Sequence, residues 1–459
     1  MNAGTNADSL DRAVRDALHA WAPQDQEPPP GIADHIVRRR RRRTLLRATG
    51  AALALTGVVL GTTLATGAAR DDAAPPAFRV SEESDLLWRA VLPGPSWDAC
   101  TTGPGAVYCR GVGHDGIGVD SRTGKVVWQR PAAVVGATSS PAGALPGVRN
   151  GILYTYADHS PGARAAGTDL VALDAAGSRV LWKHRLADDS RDQDSAVLFD
   201  GGVLANSPRF RGVTALDPGT GRTLWTHTWE RADCERAAAG GVPYLMCSPD
   251  GEPTAGHSTV VRLDPATGEP RTVATVDGPT VYIGTDGDAV LLAGADAGRT
   301  SAGGSGPATL IRVDLRSGSV TRHRTDGFPA GVVADGVVLA ARGDGSAVAY
   351  SAHDGARLWS RDLGLDLRAS PGDPTATERP SAAAVDLRER MVYYLGPTGQ
   401  LTGLDLDSGA VRWRARVPLP TGPATAEAAP ELMVDEGSLV GLAGSELFRI
   451  RPVLAGRDS

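Results

Sequence analysis

From residue 85 onward, short apolar runs alternate with segments rich in Gly, Asp, Ser and Pro. Between Trp182 and Trp225 the chain reads DSAVLFDG, GVLANSPR, GVTALDP and RTLWTHTW, which are four strand-length runs in order. Apolar runs of this length between turn signals are typical of strands and leave little room for long helices. The pattern therefore predicts an all-β domain built from four-stranded units.

One short motif ends each predicted unit: an apolar strand, Asp, three residues, Gly, three residues and Trp. Asp217, Gly221 and Trp225 form a complete copy. Asp accepts hydrogen bonds from turn amides, Gly takes the left-handed conformation, and the large face of Trp can pack between neighbouring units. The predicted packing residues are Trp88, Trp128, Trp182, Trp225, Trp359 and Trp413.

Four copies depart from the full motif. Thr272 and Arg322 stand where Trp is expected, and Ser351 stands where Asp is expected. In the copy that contains Asp174, the Gly comes one place early, at Gly177. The turn chemistry survives these changes, so we expect each copy to close a hairpin.

An eighth copy is divided between the two ends of the domain. Residues 444–452 supply its first part, and residues 85–93, which include Trp88, supply its last strand. Successive Trp-equivalent positions are 37 to 54 residues apart, which is the spacing of propeller blades. The sequence thus predicts an eight-bladed β-propeller over residues 85–454, closed by the N- and C-terminal strands in one blade.

The repeat LDPGTGRTLW at 216–225 resembles the pyrrolo-quinoline-quinone (PQQ) repeat of the quinoprotein alcohol dehydrogenase-like superfamily. It is also similar to the propeller lipoprotein of the bacterial outer-membrane Bam assembly complex. The enzymes of the superfamily hold the quinone under a disulfide between adjacent cysteines, with calcium and a catalytic Asp nearby. This chain has no adjacent cysteine pair. The resemblance therefore implies a non-catalytic scaffold, and no catalytic residue, cofactor or metal ligand is predicted.

The first seventy residues have a different character. Six consecutive arginines, 38–43, precede the apolar stretch 48–69, which is long enough to span a bilayer as a helix. Because such arginines stay on the cytoplasmic side, the propeller is expected outside the cytoplasmic membrane. We predict a cytoplasmic tail at 1–43, a transmembrane signal-anchor at 44–69 and a linker at 70–84. The alternative is a secretory signal peptide that is removed near residues 68–69.

The tail contains one further helical pattern, at residues 9–21, whose apolar positions share one face. It is either a docking helix for a cytoplasmic partner or a short helix without a role, because isolated helices of this length are marginal.

Charge narrows the choice of partners. The whole chain carries a net charge of −6, with 47 basic and 53 acidic residues. Residues 1–70 hold 10 Arg and 6 acidic residues, which leaves 37 basic and 47 acidic residues, a net of −10, in residues 71–459. Such a surface repels polyanions, so nucleic acid is not an expected partner.

The four cysteines form two close pairs, Cys100 with Cys109 and Cys234 with Cys247, and each pair flanks a Gly-containing turn. Outside the cell, this spacing predicts two structural disulfides that each clamp one hairpin. Free thiols or a metal site are the alternatives, although neither pair has the CxxC spacing of a zinc site. The scattered histidines show no HExxH pattern and are expected at the surface or in turns.

Long connections mark a candidate binding surface. They lie at 157–168, 293–308, 364–381 and 418–431, either between second and third strands or between blades. These two kinds of connection emerge on the same face of an up-and-down propeller, and loops on a rigid scaffold commonly carry recognition. This long-loop face is the predicted site for an envelope protein or a small ligand, unless the loops are merely tolerated insertions.

Three functions remain open at this point. The chain is predicted to be a membrane-anchored scaffold. The alternatives are a PQQ-dependent dehydrogenase-like enzyme and a transmembrane sensor whose propeller detects a ligand.

Overall fold

The computed structural model describes residues 86–96, 100–111, 113–132, 145–158, 168–186, 196–207, 211–230, 232–249, 256–294, 308–327, 331–367, 369–370, 373–377, 380–419 and 430–454. The predicted tail, transmembrane helix and linker lie outside these residues. In the part that is described, no helix has the length and apolarity needed to cross a bilayer.

The described strands form eight four-stranded antiparallel sheets, which are the blades of a propeller. Strand β1 (Leu86–Val91) belongs to the last blade. Blades 1 and 2 contain β2 (Cys100–Gly103), β3 (Ala106–Gly111), β4 (His114–Asp120), β5 (Val126–Pro131), β6 (Gly147–Arg149), β7 (Ile152–Asp158), β8 (Thr168–Asp174) and β9 (Val180–Arg185). Blades 3 and 4 contain β10 (Ala196–Phe199), β11 (Gly202–Asn206), β12 (Gly212–Leu216), β13 (Thr223–Thr228), β14 (Ala232–Ala239), β15 (Val242–Pro249), β16 (His257–Leu263) and β17 (Pro270–Asp277).

The remaining blades follow the same plan. Blades 5 and 6 contain β18 (Thr280–Asp286), β19 (Ala289–Gly294), β20 (Ala308–Asp314), β21 (Val320–Thr325), β22 (Val332–Ala334), β23 (Val337–Ala341), β24 (Ser346–Ser351) and β25 (Arg357–Asp362). A small hairpin follows, made of β26 (Ala369–Ser370) and β27 (Asp373–Thr377). Blades 7 and 8 contain β28 (Ala384–Asp386), β29 (Met391–Leu395), β30 (Gln400–Asp405), β31 (Val411–Arg416), β32 (Glu431–Asp435), β33 (Ser438–Ala443) and β34 (Glu446–Ile450), with β1 completing blade 8.

The two ends of the domain share one sheet, as the divided repeat predicts. Strand β1 pairs antiparallel with β34, and Trp88 stands opposite Arg449. The first strand of the domain therefore completes the last blade, which confirms both the closure and the number of blades.

Apolar side chains fill the space between blades. The described residues form eight buried clusters, one for each pair of neighbouring blades. The cluster that joins blade 8 to blade 1 packs Val107 and Ile117 with Val440 and Leu442. Because every blade is packed on two neighbours, the hydrophobic free energy of the fold is distributed around a closed ring.

The first strand of each blade lies toward the centre of the ring. Strand β14 contacts β10 and β18, and β32 contacts β28 and β2. The fourth strand, which carries the motif Trp, is consequently the outer edge of each blade.

The connections divide between two faces, as expected. One face, here called the turn face, carries the connections between first and second strands and between third and fourth strands. Each of these connections is two to six residues long. On the opposite face, the loop face, they join second to third strands and successive blades. Several of these are long, including 132–146, 295–307, 363–383 and 417–430.

Candidate functional site

The motif Asp residues serve the turns that follow the third strands. Asp217 Oδ1 accepts hydrogen bonds from the Thr220 amide at 2.8 Å, the Thr220 hydroxyl at 2.7 Å and the Gly219 amide at 3.1 Å. These bonds hold the pKa of Asp217 below its ordinary value, because they favour the charged carboxylate. Related hydrogen bonds are made by Asp120, Asp264, Asp314 and Asp405.

Two irregular copies close the same turn with different residues. Ser351 replaces the motif Asp, and its hydroxyl accepts from the amides of His353 and Asp354. In the copy that begins at Asp174, Ser178 takes the left-handed conformation with φ 58° and donates its amide to the Asp174 carbonyl at 2.9 Å. Gly177, which stands one place before the motif Gly position, has no positive φ. The left-handed conformation of the turn is therefore taken by Ser178, at a cost in backbone strain.

The six motif Trp side chains are buried, and five of the indoles donate to the neighbouring blade. Trp182 Nε1 donates to the Pro218 carbonyl at 2.9 Å, and Pro218 directly follows the motif Asp of the next blade. Equivalent bonds join Trp88 to Ser121 at 2.6 Å, and Trp128 to Ala175, Trp225 to Pro265 and Trp359 to Leu406 at 2.9 Å each. Trp413 is also buried and lies edge-on to Tyr393, with ring centroids 6.0 Å apart.

The motif Gly of the next blade lies against the indole face. A Cβ on Gly221, whose φ is +69°, would come within 2.6 Å of the Trp182 ring. Gly124, Gly268 and Gly409 make the same close approach to Trp88, Trp225 and Trp359. Gly in the motif is therefore required twice, by the left-handed turn and by the indole packed on it.

A β-bulge accompanies each motif Trp. In blade 3, Trp225 pairs with Ala215 and Thr223 pairs with Leu216, so Leu224 has no partner. The same shift immediately precedes the other five Trp residues. Blade 4, which has Thr272, carries its bulge two strand positions farther on, and blade 5, which has Arg322, pairs without one. The bulge turns the indole toward the next blade, and no feature of the sequence motif indicated it.

A polar cluster joins blades 5 and 6, where the motif Trp is missing. Tyr350 donates to Asp326 at 2.7 Å, and Asp326 also pairs with Arg342 at 3.9 Å and with Arg357. Burial raises the pKa of Tyr350 to about 12, with a further contribution from Asp326. The Tyr350 hydrogen bond, opposed by burial and reinforced by the two guanidinium groups, lowers the pKa of Asp326. The charged and hydroxyl groups of this cluster therefore bind one another across the interface between blades 5 and 6.

Both predicted disulfides are present. Cys100–Cys109 joins β2 to β3, and Cys234–Cys247 joins β14 to β15, with the paired Cα atoms 4.1 Å and 4.0 Å apart. Each therefore clamps the first hairpin of a blade at the inner side of the ring. In the described residues no group of three or more His, Cys, Asp or Glu is arranged to hold a metal.

The histidines are less exposed than expected. His114 is completely buried, with Nε2 3.5 Å from the Ser96 hydroxyl. Burial lowers the pKa of His184 and His227, because it disfavours the charged imidazolium. The expectation of surface or turn positions is thus wrong for His114, which lies where strand β4 packs between its neighbours.

The loop face is the candidate binding surface that remains. On the turn face the motif carboxylates and glycines are occupied by turn geometry, whereas the loop face carries the connections that exceed the length needed to join strands. Exposed described positions of the loop face include Glu230 between β13 and β14, and Gly343 between β23 and β24, where an added Cβ would meet nothing within 4 Å. Residues of this kind can contact a partner without disturbing a blade.

The family model described as outer membrane protein assembly factor BamB matches residues 80–207, 115–283 and 209–450. The chain belongs to this BamB family. Together these matches extend over the whole propeller, including the strand that closes it. No curated protein sequence matches the chain.

Solved structures share the propeller fold with this chain at low sequence identity. BamB from Moraxella catarrhalis is 16% identical, with 80% of this chain and 97% of that chain covered, at a TM-score of 0.51. The computationally designed Ika8 protein is 14% identical, with coverage of 80% and 99% and a TM-score of 0.52. At such identities the likeness shows the fold alone.

Proposed function

We propose that this chain is a non-catalytic, membrane-anchored scaffold outside the cytoplasmic membrane, and that its loop face binds a protein of the cell envelope. The family description as an assembly factor and the BamB-type propeller support protein partners in general. The observation that carries the proposal is the inequality of the two faces: turn-face connections of two to six residues against loop-face connections of up to 21 residues.

The packing of the motif residues supports a structural role for the turn face and a binding role for the loop face. The motif residues of the turn face are tied to neighbouring blades, so substitutions there cost stability. Loop-face connections lie outside these contacts and can vary in length at a small cost in closure entropy. A scaffold of this kind binds by presenting loops on a rigid support, which requires no reactive group.

Membrane attachment rests on the sequence alone. Residues 44–69 combine the Arg-flanked apolar stretch with a length suited to one bilayer crossing. Anchoring would hold the loop face near other envelope proteins and raise their effective concentration.

The test is site-specific photo-crosslinking in intact cells with the full chain. A photoreactive amino acid replaces Glu230 or Gly343 on the loop face, and Ala176 or Arg222, exposed residues of the turn face, in matched control strains. Adducts of one defined protein from the loop-face positions only are the expected result. Adducts from the turn-face positions alone, or none from any position, would overturn the proposal.

A further inference from the structure

Exposed apolar side chains gather on the outer edge of two adjacent blades. On β1, Leu87 is 41% and Val91 75% exposed, and on β5, Val126 is 45% and Val127 55% exposed. The two strands are neighbours, because Trp88 of β1 donates to the carbonyl of Ser121 in the turn that leads into β5. We call the surface formed by β1, the turn 121–125 and β5 the closure rim.

The closure rim is also basic. Arg122 and Lys125 are exposed on its turn, Arg130 is partly exposed on β5, and Arg451 is exposed just after β34. Arg89 on β1 is paired with Glu446 at 2.6 Å and adds no net charge, and the Asp120 carboxylate at the start of the turn offsets one of these four basic groups. Residues 71–459 as a whole are acidic, with 37 basic and 47 acidic residues and a net charge of −10. The closure rim is therefore a positive patch on a negatively charged domain.

The order of the chain connects this rim to the predicted membrane anchor. Residues 70–84, between the predicted anchor and β1, number fifteen. A segment of this length spans at most about 50 Å, even when fully extended. Leu86, the first residue of β1, follows this segment after one residue, so the closure rim contains the first described strand after the predicted anchor.

We propose that the closure rim rests on the surface of an anionic bilayer, so that the ring stands with its blade 8 and blade 1 edge against the membrane. The apolar side chains enter the headgroup boundary, and Arg122 and Lys125 pair with anionic headgroups. The inference rests on the proposed anchoring of residues 44–69. It leaves the loop face free at the side of the ring.

The propeller repeat supplies a matched control. Val127 and Leu224 are both the bulged residue before a motif Trp, in blades 1 and 3, and both are exposed. Lys125 and Arg222 likewise both follow a motif Gly. Variants V127C and L224C each carry one new thiol, since all four native cysteines are in disulfides.

The experiment uses the full chain, labelled at V127C or L224C with an environment-sensitive fluorophore and reconstituted into phosphatidylglycerol-containing vesicles or into pure phosphatidylcholine vesicles. Flotation of the pure phosphatidylcholine vesicles reports the anchor, because the basic rim gains no electrostatic attraction from a neutral surface, and quenching of the label by spin-labelled lipids reports the rim. The expected result is a blue-shifted, quenched label at V127C in the anionic vesicles, with the L224C label unquenched. Adding R122Q and K125Q reduces membrane contact roughly fivefold for each charge removed, whereas R222Q has no effect.

The outcomes separate the two proposals. If the chain fails to float with vesicles, the anchor is refuted and the rim inference falls with it. If the chain floats but V127C and L224C give the same unquenched spectrum, the anchor stands and the rim inference is wrong. Equal quenching at both positions would also refute it, because the contact would not be confined to the closure rim.

Discussion

Trp88 and Arg449 stand opposite each other in the strand pair that closes the ring, and both donate to the carbonyl oxygen of Ser121 in blade 1. Arg449 also forms a buried ion pair with Asp435 at 3.1 Å. In the other Trp-bearing blades the residue opposite the Trp is Gly or Ala. The junction between the two ends of the domain is thus secured by a polar clamp in addition to packing.

Substituting Arg449→Met should destabilise the propeller by about 3–5 kcal/mol, since it leaves the Asp435 carboxylate buried without its partner. Burial already raises the pKa of Asp435, and Arg449 opposes that rise. Without Arg449 the pKa of Asp435 rises further. The loss of unfolding free energy relative to the parent chain should therefore shrink as the pH falls, because the carboxyl takes up a proton. Urea unfolding of the full chain at several pH values measures both effects.

Arg412→Met is the matched control, because Arg412 pairs with Asp405 at 3.5 Å on an exposed surface. Its expected cost is below about 1 kcal/mol. A deficit for Arg449→Met that equals the control, or one that grows as the pH falls, would contradict the buried clamp.

Gly221→Ala should destabilise by about 2–4 kcal/mol. The new Cβ would have to adopt a left-handed conformation and would meet the Trp182 ring at 2.6 Å. Gly177→Ala is the control, because Gly177 has no positive φ and nothing lies within 4 Å of its added Cβ. Thermal unfolding compares the two, and equal midpoints would refute the double role of the motif Gly.

Acid should unfold the protein partly through the motif turns. Hydrogen bonds from Thr220 lower the folded-state pKa of Asp217 below its ordinary value of 3.8. The stability gained in this way is present above the unfolded pKa and is lost as the pH falls through the folded one. Asp217→Asn keeps an acceptor but cannot titrate, so its unfolding free energy should fall less steeply on acidification. A slope unchanged from that of the parent chain would show that this turn does not contribute.

Removing the disulfide with Cys234→Ala and Cys247→Ala should cost about 2–3 kcal/mol, given a cross-link between residues 13 apart. The Cys100–Cys109 bridge lies in a different blade interface, so the two losses should add within about 0.5 kcal/mol. Urea unfolding of the two double variants and of the quadruple variant tests this. Reductant should lower the unfolding free energy of the parent chain to that of the quadruple variant, and it should not change the unfolding free energy of the quadruple variant.

Much of this architecture could be predicted without coordinates. The repeated Asp, Gly and Trp are local signals, because each hairpin turn depends on residues within one motif. Their spacing indicated eight blades, and the divided copy around Trp88 indicated the shared sheet. The two cysteine pairs could be assigned for the same reason, since each lies across one short hairpin. The loop face also followed, because strand alternation places its connections on one side.

Other features depended on contacts between blades. The bulge before Trp225 arises because the indole must turn onto the next blade, and a register shift of one residue leaves no trace in the hydrophobic pattern. Ser178 adopts the conformation that Gly177 was positioned to supply, since the turn geometry is imposed by the strands on either side. Arg449 and Asp435 were ordinary charged residues in the sequence, and only ring closure buries them together. The sequence by itself determined which hairpins form and how many there are, because those are local choices. The tertiary structure alone decided how each blade packs against the next, because those contacts join different repeats: the indole hydrogen bonds link residues 33 to 47 positions apart, and the contact between Arg449 and Ser121 links residues 328 apart.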